Sequence, residues 1–226
     1  MATREVLILA AGPWSENPIP EDLVAQAHLI LAADGGWAQA VARGIRVDRV
    51  VGDLDSLRGD EIALLRQSGT PTDVHPREKD RTDLEIAVDE ALRLSPDRVV
   101  IYGAVGGRID QTLANIFLLE KLAGAGVEGE LRTPEERLFV AQGERTLTPA
   151  AVGDGVSLLS LTDRVEGVTT WGLRYALSGA ALERASTRGV SNEVESLPAG
   201  VRVGTGTLLV VLRCAGGRQG LGRIAA

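Results

Sequence analysis

The 226 residues carry 24 basic against 31 acidic side chains, a net charge of −7, and no Lys/Arg-rich run, which argues against a long nucleic-acid backbone as partner. Cys214 is the only cysteine and His28 and His75 are the only histidines, so no zinc site, redox pair or disulfide framework can be built, and a reducing cytoplasm suits the chain. At this length folding hides roughly 70% of the unfolded surface, enough for one or two domains whose cores, with aromatics at 3%, must be aliphatic.

Residues 5–10 form an apolar run that Gly12, Pro13 and Trp14 cut short of signal-peptide length. No other run approaches about 18 apolar residues, so a soluble, intracellular protein without membrane contact is expected. A short helical stretch at 21–27 follows, then a second apolar run at 29–33 that ends in Asp34-Gly35-Gly36. The alternation continues with a helix at 37–43, a strand at 49–51, a helix at 57–67 capped by Ser56, and a short strand at 72–75. Thr82 and Glu85 make a capping box for a helix to about residue 94, followed by a strand at 98–102 and a helix at 110–122. Continuous apolar strands separated by helices mean a mostly parallel, doubly wound sheet covered on both faces.

Beyond Gly124 the texture changes to short segments at 130–132, 138–141, 156–161 and 208–212, separated by Gly, Pro and Asp. These predict an all-β sandwich, so the chain divides into an α/β domain at 1–130 and a β domain at 131–226. Residues 216–222, rich in Gly and Arg, read as a loose tail.

Acidic residues stand just after the strands of the first domain: Asp34, then Asp53 and Asp55, then Asp80 and Asp83, then Asp110. Ligands of an open parallel sheet bind beyond the carboxyl ends of its strands, so these six are candidates for one crevice. Each alone has a structural alternative as a turn former, a helix cap or a first-turn carboxylate. Together they would repel one another, which makes a divalent cation their natural partner, and oxygen-only donors without a calcium-loop spacing favour Mg²⁺. Mg²⁺ held by few carboxylates usually carries phosphates as well. Gly35-Gly36 and the glycines between 103 and 107 let a backbone approach such a ligand, with Lys79 and Arg108 as cations in the same loops. Lys79 and Lys121 are the only lysines, beside 22 arginines. No P-loop or dinucleotide fingerprint is present.

The ordered motifs Ala33-Asp34-Gly35-Gly36, Gly52-Asp53-Leu54-Asp55-Ser56, Lys79-Asp80-Arg81-Thr82-Asp83 and Gly106-Gly107-Arg108-Ile109-Asp110-Gln111 resemble those of thiamine pyrophosphokinase (thiamine diphosphokinase). Gly172-Leu173-Arg174-Tyr175-Ala176-Leu177 and Gly189-Val190-Ser191-Asn192-Glu193 extend the resemblance through the second domain. It implies an ATP-dependent diphosphotransferase, a kinase that makes thiamine diphosphate and AMP from ATP and thiamine. The family's proteins are homodimers with an α/β domain and a β-sandwich, and thiamine sits between the domains at the subunit interface. The resemblance further implies Asp53, Asp55 and Asp83 as magnesium ligands, with Asp80 a further acid, and Asp34, Gly35, Gly36 and Asn115 at the nucleotide. Lys79, Arg108 and Asp110 would be catalytic, Asp110 orienting or deprotonating the hydroxyl, and Tyr175, Ser191 and Asn192 would bind thiamine. Gln111 stands where many members have His, Arg174 where Lys is common and Ala176 where Pro is common. Trp171 reads as a sandwich-core or interface aromatic. Two rivals are a pyrophosphokinase for another alcohol, such as a hydroxymethylpterin, and a non-catalytic nucleotide or thiamine sensor.

Overall fold

The apolar runs of the first half become strands whose residues are covered on both sides: in β1 (Glu5–Leu9) every residue is buried, as are all but the first of β2 (Leu29–Ala33). This is a computed structural model that describes residues 3–14, 19–148 and 150–215; the tail expected at 216–222 lies outside them. After β1 come α1 (Glu21–Gln26), β2, α2 (Gly36–Val41), β3 (Arg49–Gly52), α3 (Gly59–Ser68), β4 (Thr72–Val74), α4 (Asp83–Arg93), β5 (Arg98–Tyr102), α5 (Ile109–Gly124) and β6 (Glu128–Arg132).

The six strands pair in parallel in the order β6-β5-β1-β2-β3-β4. Leu23 of α1, Trp37 of α2 and Leu65 of α3 share one core with Leu7, Leu9, Val100 and Tyr102 of the strands. At β4 the chain reverses: α4 runs back along β3, β2 and β1 to reach β5, packing against α5 on the way. A right-handed crossover in that direction lies on the face opposite the first three helices, so the sheet is doubly wound. The direction of winding switches between β1 and β5, and in such sheets the loops leaving the two switch-point strands open a crevice.

Two local expectations change. Ser56 does not cap α3, which begins at Gly59 with the Glu61 carboxylate accepting the Arg58 N–H at 2.8 Å. Leu54, at φ 63°, turns the chain early, and the Ser56 hydroxyl donates to the neighbouring Asp55 Oδ1 at 3.5 Å instead. Thr82 does cap α4, accepting the Glu85 N–H at 3.2 Å, while the Glu85 carboxylate pairs with Lys121 at 3.0 Å.

Residues 130–132, read as part of the all-β segment, end β6, which pairs in parallel with β5 from Arg98↔Glu128 to Tyr102↔Arg132. The two compact units are accordingly Met1–Thr133 and Pro134–Ala226. Within the second, β7 (Glu136–Ala141), β8 (Glu144–Thr146), β9 (Gly155–Ser160), β10 (Arg164–Trp171), β11 (Ala180–Glu183), β12 (Asn192–Glu193), β13 (Gly200–Arg202) and β14 (Leu208–Arg213) form antiparallel sheets ordered β12-β9-β14-β7 and β11-β10-β13-β8. The alternating burial of β9 turns Val156 and Leu158 inward. They share a core with Leu208 and Val210 of the same sheet and Val165, Leu182 and Val201 of the other, which makes this unit a sandwich. Trp171 is partly buried and packs over Gly200 of the neighbouring strand.

Candidate active site

The carboxyl ends of β2 and β3 bring the first acids together. Asp34 leaves β2 at φ 46° with its N–H on the Val51 carbonyl at 2.9 Å, which turns its side chain inward to 4% exposure. Gly36 follows because a Cβ there would lie 2.1 Å from the Leu9 carbonyl oxygen, so only glycine lets α2 start against β1. Gly52, at φ 147°, makes room for the acids themselves: a Cβ would stand 3.0 Å from Asp83 Oδ1 and 3.1 Å from Asp34 Cβ.

Asp34, Asp53 and Asp83 each place a carboxylate oxygen within 4.8 Å of the others. Lys79 Nζ donates to Asp53 Oδ2 at 2.6 Å and pairs with Asp83 Oδ1 at 2.9 Å. The Lys79 hydrogen bond lowers the Asp53 pKa. Burial works against the Lys79 charge, but its bonds to Asp53 and Asp83 outweigh this and raise its pKa. Asp34 is pushed the other way from Asp53: burial raises its pKa, the nearby Ser56 hydroxyl opposes that, and the Asp83 and Asp53 charges add to it. One Asp34 oxygen is buried without a hydrogen-bond partner.

Asp55, two residues beyond Asp53, is not in this trio. Its amide donates to Asp53 Oδ1 at 3.1 Å, and its exposed carboxylate pairs with Arg77 Nη2 at 2.8 Å. Asp80 is exposed on the loop between β4 and α4. Arg77 thus joins the acids after β3 without belonging to any of the motifs; its only sign in the sequence is that it stands among the basic residues of the loop that carries Lys79.

The glycine-rich loop after β5 is pinned to α5. Asn115 Nδ2 donates to the Ala104 carbonyl at 2.8 Å, and the Thr112 hydroxyl accepts the Gly106 N–H at 3.1 Å. Thr112 was also missed, because a hydroxyl in the first turn of a helix is common for reasons unrelated to ligands. Arg108 and Asp110 form an exposed two-pronged pair, Nε to Oδ1 at 3.1 Å and Nη2 to Oδ2 at 2.5 Å, which lowers the Asp110 pKa. Gly35 caps α2 where a Cβ would stand 3.2 Å from Ser56 Cβ and 3.3 Å from Ala11 Cβ.

In the second unit, Tyr175, Ser191 and Asn192 line one open cleft of about 220 Å³ together with Arg174, Glu193 and Arg213. Asn192 is buried and acts on the backbone: its Oδ1 accepts the Tyr175 N–H at 3.0 Å and its Nδ2 donates to the Tyr175 carbonyl at 2.8 Å. This pairing fixes the loop that displays the Tyr175 ring, 63% exposed with the Arg174 guanidinium over it at 5.9 Å. Ser191 adopts φ 63° and its N–H is held by the Ser157 hydroxyl at 3.1 Å.

Oxygen-only acids, an ammonium and a glycine-rich loop at the carboxyl edge of a doubly wound sheet are the parts of a phosphate-transfer site. The family model described as Thiamin pyrophosphokinase, catalytic domain, matches residues 20–128, and that described as Thiamin pyrophosphokinase, vitamin B1 binding domain, matches residues 144–209. A thiamine pyrophosphokinase of Bacillus subtilis is 28% identical over 192 residues, covering 84% of this chain and 90% of its own. The crystal structure of thiamine pyrophosphokinase from Bacillus subtilis superposes with a TM-score of 0.83 at 27% identity over 93% of this chain and 99% of its own. That from Geobacillus thermodenitrificans gives 0.80 at 28% identity over 94% and 98%. The chain belongs to the thiamin pyrophosphokinase family and is a transferase. Among the described residues, no helix is long and apolar enough to cross a membrane.

Proposed function

We propose that the protein transfers the pyrophosphoryl group of ATP to the hydroxyethyl group of thiamine, giving thiamine diphosphate and AMP, as a cytoplasmic homodimer. The observation that carries this reading is the gathering of Asp34, Asp53 and Asp83, the last two held by Lys79, at the carboxyl edge of the parallel sheet. The donor set fits Mg²⁺: all ligand atoms are carboxylate oxygens, and the unpartnered buried oxygen of Asp34 asks for a cation. Asp53 and Asp83 with Asp34 would hold it, joined by Asp55 when Arg77 releases it. Bound there, the ion neutralises charge on phosphate oxygens.

The hydroxyl of thiamine attacks the β-phosphorus, the bond to the α,β-bridging oxygen breaks, AMP leaves, and the hydroxyl proton is lost. Positioning and charge compensation supply most of the rate for such a transfer. Lys79 and Arg108 offset the charge that grows on the leaving AMP. Asp110 receives or orients the hydroxyl proton; held by Arg108 it is a poor base, so turning Arg108 toward phosphate also frees Asp110. Gly35, Gly36 and the loop that Asn115 braces lie along the nucleotide. The exposed Tyr175 ring stacks on the cationic thiazolium, worth about 1–2 kcal/mol when desolvated, with Ser191 and Asn192 beside the pyrimidine.

The test is to incubate purified protein with MgATP and thiamine and to separate thiamine diphosphate and AMP chromatographically. Both products are expected, dependent on thiamine and on Mg²⁺. Their absence overturns the reading, and a pterin alcohol accepted in place of thiamine would redirect it.

A further inference from the structure

The loop between β4 and α4 sets two cations against the acids that follow β3. Arg77 reaches Asp55 at 2.8 Å, and Lys79 reaches Asp53 at 2.6 Å and Asp83 at 2.9 Å. The two contacts differ in kind. Arg77 is 75% exposed, where solvent screens an ion pair, whereas Lys79 is 14% exposed between carboxylates that are 8% and 23% exposed. Three carboxylates this close, one of them deeply buried, resist sharing the site in their charged forms. The Lys79 ammonium relieves two of them and leaves the buried Asp34 oxygen unpartnered, so compensation is incomplete.

We propose that Lys79 is the resident counter-ion of this site. It holds Asp53 and Asp83 while no metal is bound and yields them only as its ammonium passes to the phosphates of the arriving nucleotide. Arg77 does the same, more weakly, for Asp55. The inference rests on reading the acidic cluster as a metal–nucleotide site, and it adds an order of binding. A bare divalent ion must displace the ammonium from Asp53 Oδ2 and Asp83 Oδ1, which leaves a partly buried cation without a partner. An ion that arrives with a triphosphate brings the anion to which the lysine can move. A lysine suits this exchange because its compact charge rides on a flexible stem and requires no paired geometry at either end, as a guanidinium would.

Mn²⁺ serves as the probe, its free fraction read by electron paramagnetic resonance with the full chain. Wild type, Lys79→Met, Lys79→Gln and Arg81→Ala are compared, the last because Arg81 pairs with Asp89 of α4 at 2.7 Å, away from the trio. Without nucleotide, the Mn²⁺ Kd should fall about tenfold or more in both Lys79 variants, since a unit positive charge at contact distance has been removed. It should stay unchanged in Arg81→Ala. With a non-hydrolysable ATP analogue present, that gain should disappear and the analogue itself should bind the Lys79 variants more weakly. Lys79 variants that fold, by circular dichroism, yet bind Mn²⁺ no better than wild type overturn the proposal. A measurement on wild type alone keeps it falsifiable if neither variant folds: Mn²⁺ should bind at least about tenfold more tightly with the analogue than without, and equal affinities overturn it. A wild type that binds no Mn²⁺ even with the analogue would instead defeat the reading of the site.

Discussion

Asp34 and Asp53 share one cluster and respond to pH with opposite sign. Burial holds the Asp34 carboxyl above its ordinary value of 3.8, so the folded protein binds that proton more tightly than the unfolded chain does. Whatever stability the group contributes is therefore complete below 3.8 and is lost as pH rises through the raised folded value. Asp53, lowered by Lys79, contributes stability above 3.8 that is lost as pH falls through its depressed folded value. In metal-free protein at pH 7, Asp34→Asn should melt a few degrees above wild type and Asp53→Asn below it. Both differences should shrink toward pH 3, and both variants should lose turnover by on the order of 10²-fold or more. Melting curves across pH read the first outcome and product formation the second; an Asp34→Asn protein that melts lower at pH 7 would contradict the burial argument.

This scale also shows where residue spacing stops being informative. Two aspartates two apart after a strand suggest a shared cation, yet the turn at Leu54 sends Asp55 to Arg77. The third member of the trio is Asp34, from a different strand. Which acids converge depends on the register of β2 beside β3, where Ala33 pairs with Val51, and no one-dimensional pattern carries that register.

Among the elements, the strands were legible and the connections less so. Val, Leu and Ile runs such as Arg98–Tyr102 can only be strands buried on both faces, and they appear where expected. The start of α3 was misplaced because Ser56 looks like a cap in sequence while its hydroxyl turns to the Asp55 carboxylate beside it and the helix begins three residues on, at Gly59. The end of the parallel sheet was misplaced because Glu128, Glu130 and Arg132 alternate with Gly129 and Leu131, a pattern that suggests a half-solvated antiparallel strand. The charges of Glu130 and Arg132 are answered inside: Arg98 bridges Glu5 at 2.7 Å and Glu130 at 2.8 Å, and Arg132 joins Glu130 at 3.0 Å. Element geometry also sorts the glycines. Gly36→Ala should destabilise by about 1–3 kcal/mol, because its Cβ meets the Leu9 carbonyl, whereas Gly59, with nothing within 4 Å at the start of α3, should accept Ala at no cost. Urea unfolding of the two variants compares them directly, and equal stabilities would refute the close approach of α2 to β1.

At the level of the whole chain, the acidic cluster belongs to the first unit and the Tyr175 cleft to the second, so damage to each should have its own kinetic signature. Tyr175→Ala should raise the thiamine KM about tenfold, the loss of a desolvated stacking contact, and leave the ATP KM within a factor of about two. Initial rates with each substrate varied in turn make the check; a matching rise in both constants would mean that the tyrosine acts on the protein as a whole. The sandwich was recognisable from its turn-rich texture. The role of Asn192 was not, because a buried amide that completes a backbone ladder looks in sequence like any polar loop residue.

The position of β1 between β2 and β5 matters before the protein is ever complete. β2 begins at Leu29, 20 residues after β1 ends at Leu9, but Arg98, the partner of Glu5, lies 93 residues downstream of it. During synthesis one flank of β1 therefore waits, apolar from Val6 to Leu9 and free of proline, while more than a third of the chain is still being made. The most aggregation-exposed species should be a nascent chain that ends within α4, with its central strand formed and half paired. Chains arrested before β5 emerges should be cut by protease within β1, and chains long enough to release it should not; protection at both lengths would show that the sheet closes by another route.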